Sequence, residues 1–179
     1  MPTLDRSRSV LCLIDVQEKL MKAIAGAESV VANAGRLLSA AEELGVPVLS
    51  TEQNPKGLGP TVADLVRSDD AHPVVAKMTF DSCHAGGVMD ALPPGHHVVL
   101  AGAEAHVCVL QTALGLLDRS RRVFVVADAI GSRRQENKKA ALRRLERAGA
   151  EVVTTEMVIF EWLGTAEDPH FKSVIALVK

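Results

Sequence analysis

Three residues of this chain could act on one another: an acid, an amine and a thiol, each standing where an apolar run gives out. Asp15 closes the run in "LIDVQ", Lys77 ends "HPVVAK" within "VAKMTF", and Cys108 stands in "GAEAHVCVLQTALGLL". A free thiol titrates at about 8.5 and is mostly unreactive near neutrality. A nearby ammonium and a helix N-terminus favour its thiolate. A carboxylate within hydrogen-bond reach takes the thiol proton and later returns it to a leaving group. Taken singly, each residue has an ordinary reading. An aspartate after a strand caps a helix, a strand-end lysine is solvated, and a cysteine among apolar residues is packing. Their joint occurrence at three strand ends points to nucleophilic catalysis.

The elements that must position them follow from the apolar pattern. "VLCLID" is a short continuous apolar run, as in a strand covered on both faces. Val30, Val31, Ala34, Leu37, Leu38, Ala41 and Leu44 follow helical spacing, stopped by Gly45 and Pro47. "PVLST" reads as a second strand, "EQNPKGLGP" as a loop, "HPVVAK" as a third strand and "FDSCHAGG" as another loop. Val88 to Leu92 form a short helical piece. "HHVVLAG" is the fourth strand, residues 106–118 a helix, and "RRVFVVAD" the fifth strand. Ser132 with Gln135 has the form of a capping box for a helix reaching Arg147, closed by Gly149. "AEVVTT" is the sixth strand, followed by two short helices near Glu156 to Leu163 and Pro169 to Val178.

Strand and helix alternate with short connections. The pattern predicts one α/β domain over 1–179, a three-layer α-β-α, Rossmann-like arrangement with a six-stranded parallel sheet. In such sheets ligands bind outside the carboxyl ends of the strands, where Asp15, Lys77 and the turn before Cys108 are expected.

Composition narrows the function. The 179 residues are 47% hydrophobic, which suits one domain with a sizeable core. A net charge of -2 gives no global pull towards nucleic acid or anionic membrane. Aromatics at 3%, with no Tyr, argue against a base-stacking surface. No apolar run reaches the roughly 18 residues of a membrane helix, and the N-terminus has no signal-like segment. The expectation is a cytoplasmic protein with a small-molecule substrate, no nucleic acid and no membrane partner.

Among other chemistry-bearing residues, Cys12 lies inside a strand and reads as buried. Cys83, beside His84 in a loop, competes with Cys108 as nucleophile but lacks an evident strand-to-helix turn. Three cysteines without a C-x-x-C argue against a disulfide framework. The histidines at 72, 84, 96, 97, 106 and 170 show no metal-ligand spacing with an acidic partner. "GLGP" and "AGG" have no phosphate-loop pattern. No metal and no cofactor are expected.

"LCLIDVQEKL", "VVAKMTFDS" and "GAEAHVCVLQTALGLLDRSRRVFVVADAIGSR" together resemble the isochorismatase-like cysteine hydrolases, from about residue 9 to 165. "STEQNPKGLGPTV" and "EDPHFKSVIALVK" are similar to the isochorismatase-domain-containing subgroup. The resemblance implies a six-stranded parallel sheet flanked by helices. It also implies Asp15 as base, Cys108 as nucleophile and Lys77 as the group that stabilises the thiolate and orients Asp15. It implies a cis Ala103–Glu104 bond that aims the amide of Glu104, with that of Cys108, into an oxyanion hole. Homo-oligomers are usual in that family.

The chain also departs from relatives within the family. Where nicotinamidases carry an Asp-x-His-x-x-x-His metal segment, this chain reads "TEQNPKG". Ala105 replaces a frequent Thr. Cys108, which vinyl ether hydrolysis does not need, favours acyl chemistry. The reading is hydrolysis of a small amide through a thioacyl intermediate, with Gln17, Gln53, Phe80, Ala105 and His106 as pocket residues. The alternatives are a catalytically silent binding or scaffold protein and a redox-responsive thiol protein whose Cys108 forms a sulfenic acid.

Overall fold

The computed structural model describes residues 3–67 and 72–179. Six strands form one parallel sheet: β1 (Ser9–Ile14), β2 (Val48–Gln53), β3 (Val74–Lys77), β4 (His97–Ala103), β5 (Val123–Gly131) and β6 (Glu151–Val153). Their order is β3-β2-β1-β4-β5-β6, and every adjacent pair is parallel. The strand order reverses between β1 and β4. That is the switch point where α/β sheets open a crevice beyond their carboxyl ends.

β1 is buried along its whole length. Leu11 and Leu13 face one cluster, built with α2 (Ala27–Leu44) and α7 (Thr155–Leu163). Val10, Cys12 and Ile14 face the other, built with α5 (Leu110–Asp118) and α6 (Gln135–Ala148). The period-two alternation of strand side chains thus divides one apolar run between two helix layers. Short helices α1 (Glu18–Met21), α3 (Pro55–Leu58), α4 (Val88–Ala91) and α8 (Phe171–Ile175) complete the chain. α1 has no counterpart in the apolar pattern, and α3 lies in the stretch read as loop. α2 ends where expected, on Gly45 in the left-handed region, whose N–H reaches the carbonyls of Ala41 and Glu42.

Two expectations need correction. Ser132 does not cap α6: its N-cap is Arg134, with no side-chain cap bond. The Ser132 hydroxyl lies 3.0 Å from His106 Nδ1 instead. The helix read over 106–118 starts differently. Ala105–Val109 form a π-helical turn, with the Val109 N–H reaching Glu104 O at 3.2 Å, and the α-helix begins at Leu110. Cys108 therefore sits inside a widened turn of a kind that recurs at functional sites.

No helix among the described residues is long and apolar enough to cross a membrane.

Candidate active site

Register brings the strand ends together. Ile14 pairs with Thr51 of β2 and with Gly102 of β4, so Asp15, the residue after Ile14, emerges at the centre of the sheet edge. Gln53 pairs with Lys77, which puts the lysine at the same edge two strands away. Asp15 has φ 50, a left-handed conformation uncommon for a non-glycine residue. Its N–H donates to Thr51 O at 3.0 Å. Gly102 has φ 117, and a Cβ there would come 2.0 Å from Ile14 O, so only glycine lets β4 pass β1 this closely. The next peptide bond, Ala103–Glu104, is cis.

The charged pair at the centre is enclosed. Lys77 Nζ lies 2.7 Å from Asp15 Oδ2, and neither side chain reaches solvent. The Thr51 hydroxyl donates to the other carboxylate oxygen, Oδ1, at 2.6 Å. Lys77 donates further to Gln53 Oε1 at 2.8 Å and to Thr79 O at 3.2 Å. An ammonium has three N–H groups and no acceptor. All three have acceptors here, on Asp15, Gln53 and Thr79.

Cys108 is buried, and its thiol stands near enough to Asp15 and Lys77 for both to bear on its titration. Burial, then the Asp15 charge, push the thiol up to about 12, while Lys77 pulls it down by less. The net direction runs against the thiolate that the ammonium and the helix N-terminus were expected to favour. Lys77 is already neutralised by Asp15, and desolvation disfavours the anion. At rest the group is a thiol beside a carboxylate. Cys83 and Cys12 are likewise buried and pushed up to about 12, burial being the first cause for each. Cys83 Sγ lies 3.8 Å from Thr112 O, against α5.

The pocket expectations fare unevenly. Gln17 is fully buried and spans backbone: its Nε2 donates to Gln53 O at 3.1 Å and Gly59 O at 2.7 Å, and its Oε1 accepts from Gln53 N at 2.8 Å. It has no donor left for a ligand. Gln53 is partly committed: Oε1 accepts from Lys77 at 2.8 Å, and one of the two Nε2 donors goes to Met78 O at 2.9 Å. Ala105 is fully buried in the same cluster as Cys108. Phe80 is 51% exposed and Met78 71%, on either side of Thr79. His106 is half-buried between Ser132 and Asn137. The Glu104 carboxylate is turned onto Arg133, taking its backbone N–H at 3.0 Å and its Nε at 3.0 and 3.2 Å. Thr51, which no motif singled out, was visible as a hydroxyl at the end of "PVLST", beside the strand that carries Asp15.

The family described as Isochorismatase domain matches residues 9–157. Human isochorismatase domain-containing protein 2 is 42% identical over 172 residues, spanning 96% of this chain and 83% of that protein. A solved structure described as the MAR1 ribonuclease of Caenorhabditis elegans is 37% identical with a TM-score of 0.92, covering 98% of this chain and 92% of that one. The YcaC gene product of Escherichia coli, described as an octameric hydrolase of unknown specificity, shares the fold. It has a TM-score of 0.88 at 24% identity, covering 98% of this chain and 87% of its own.

Proposed function

We propose, from the premise that the chain belongs to the isochorismatase domain family, that it is a cysteine hydrolase cleaving a small amide through a thioacyl intermediate on Cys108. The observation that carries this reading is the enclosed Asp15–Lys77 pair beside the buried Cys108 thiol, whose titration both groups influence. A carboxylate held by Thr51 and Lys77 beside a neutral thiol is a base already in place.

The reaction follows from those positions. Asp15 takes the thiol proton as Cys108 Sγ attacks the amide carbonyl carbon. The N–H groups of Glu104 and Cys108 stabilise the oxyanion. As the C–N bond breaks, Asp15 returns the proton to the departing nitrogen, leaving a thioester. A water then gives its proton to Asp15 while its oxygen attacks the thioester. The C–S bond breaks, and Asp15 reprotonates the sulfur as the acid leaves. Lys77 keeps Asp15 in place and balances charge while sulfur is anionic. No step requires a metal or cofactor, and His106 and Phe80 border the substrate.

The ribonuclease description of one solved relative raises RNA as a substrate. The net charge of -2 and the scarcity of aromatic residues favour a small molecule instead. The reading extends to a cytoplasmic homo-oligomer, the latter in keeping with the octameric description of a protein of the same fold. The test is a screen of small primary and N-substituted amides with wild type and Cys108→Ala. Turnover in the wild type alone supports the reading. Equal turnover by both, or none by either against the whole panel, counts against it and favours a scaffold or redox-responsive protein.

A further inference from the structure

We infer that Gln53 is a positioning residue for Lys77: its neutral carboxamide holds the ammonium on Asp15 without adding a second negative charge beside Cys108. The inference rests on the reading of Asp15, Lys77 and Cys108 given above.

The orientation of the carboxamide follows from two partners. Nε2 donates to Met78 O at 2.9 Å, and Oε1 accepts from Lys77 Nζ at 2.8 Å. Turned the other way, the amide would set its oxygen against a carbonyl and its N–H groups against an ammonium, and both contacts would be lost. The main chain beneath is clamped as well. Gln17 accepts from Gln53 N and donates to Gln53 O, and also ties Gly59 into the same strut. Two glutamines in series therefore fix where the third proton of Lys77 can point. The other two protons go to Asp15 and to Thr79 O.

The choice of an uncharged acceptor matters because the site is enclosed. Asp15 and Lys77 are the charged groups that bear on the Cys108 thiol; their formal charges sum to zero, and Asp15 bears on the sulfur more than Lys77 does. A carboxylate at position 53 would compete with Asp15 for the ammonium and leave a net negative charge next to the sulfur. It would also face the Met78 carbonyl with no proton to donate. An apolar side chain at position 53 would leave one ammonium proton without an acceptor in a buried setting.

The test is the rate at which iodoacetamide, a small neutral reagent, alkylates Cys108, followed by peptide mass spectrometry across pH. Wild type, Gln53→Glu, Gln53→Leu and Lys77→Met are compared, with thermal unfolding as the check on folding. Gln53→Glu is expected to move the profile up by roughly one pH unit, which is about tenfold in rate at fixed pH. Gln53→Leu is expected to move it in the same direction by less. Folded Gln53 variants with the wild-type profile overturn the inference. If Lys77→Met shifts the profile and the Gln53 variants do not, this inference alone falls. If Lys77→Met leaves it unmoved too, the reading of the triad falls with it. Should the Gln53 variants fail to fold, nitrogen-15 NMR of the wild-type lysine side chains decides. One ammonium protected from solvent exchange at neutral pH is expected, and rapid exchange at every lysine contradicts the inference.

Discussion

Lys77 Nζ stands 2.7 Å from Asp15 Oδ2 with both side chains fully enclosed. A buried pair costs desolvation on both sides, and removing one partner leaves the other charged and uncompensated. Lys77→Met and Asp15→Asn are each expected to lower stability by about 3–5 kcal/mol. The double variant is expected to lose much less than the sum. Urea unfolding of the four proteins measures this, and strictly additive losses would contradict a coupled pair.

Thr51 supplies the second hold on Asp15. Its hydroxyl donates at 2.6 Å to Asp15 Oδ1, the oxygen that Lys77 does not take. Thr51→Val keeps the shape and removes the donor, at a cost of about 1–2 kcal/mol. A less firmly held carboxylate lowers kcat by about tenfold with KM little changed. Steady-state kinetics on an amide found in the screen checks the split, and a change in KM alone would speak against a hold on the base.

In the proposed mechanism Glu104 contributes backbone and not carboxylate. Its side chain is bound to Arg133, itself 61% exposed, so that ion pair is partly screened. Glu104→Gln is expected to cost about 1 kcal/mol or less and to change kcat/KM by no more than about threefold. Loss of activity on the scale of Cys108→Ala would assign the carboxylate a chemical part.

The three cysteines predict an alkaline limit to stability. Burial raises each from an ordinary 9.0 to about 12 in the folded chain. Below pH 9 both folded and unfolded thiols are protonated, and the folded state keeps its full advantage. Between 9 and 12 the unfolded chain releases protons that the folded one retains, so stability falls as pH rises. Cys12→Ala is expected to flatten that fall. Stability measured by denaturant between pH 8 and 11 tests the sign, and a rise with pH would contradict it.

Much of this was legible from the order of residues. The continuous apolar run of β1 announced a strand covered on both faces, and Asp15, Lys77 and the turn before Cys108 stood at strand ends because parallel strands share one carboxyl edge. What the sequence could not convey lies in three dimensions. A glutamine beside a functional motif reads as a ligand contact, yet Gln17 spends both donors on backbone and Gln53 one of its two. Ser132 and Gln135 have the spacing of a capping box, but the Ser132 hydroxyl turns to His106, a residue distant in sequence. The thiol's direction of shift depends on how completely Lys77 is already paired. That is a matter of burial and distance and not of residue type.

The most direct test is whether an acyl group passes through Cys108. The enzyme is mixed with the best amide from the screen, quenched in acid within milliseconds to seconds and digested. The Cys108 peptide is then weighed. A peptide heavier by the acyl group, less the thiol hydrogen it replaces, is expected in the wild type. It should appear before or with the free acid, and Cys108→Ala should form neither adduct nor acid. Acid released at the wild-type rate by Cys108→Ala, or an adduct carried by Cys83 instead, would contradict the account.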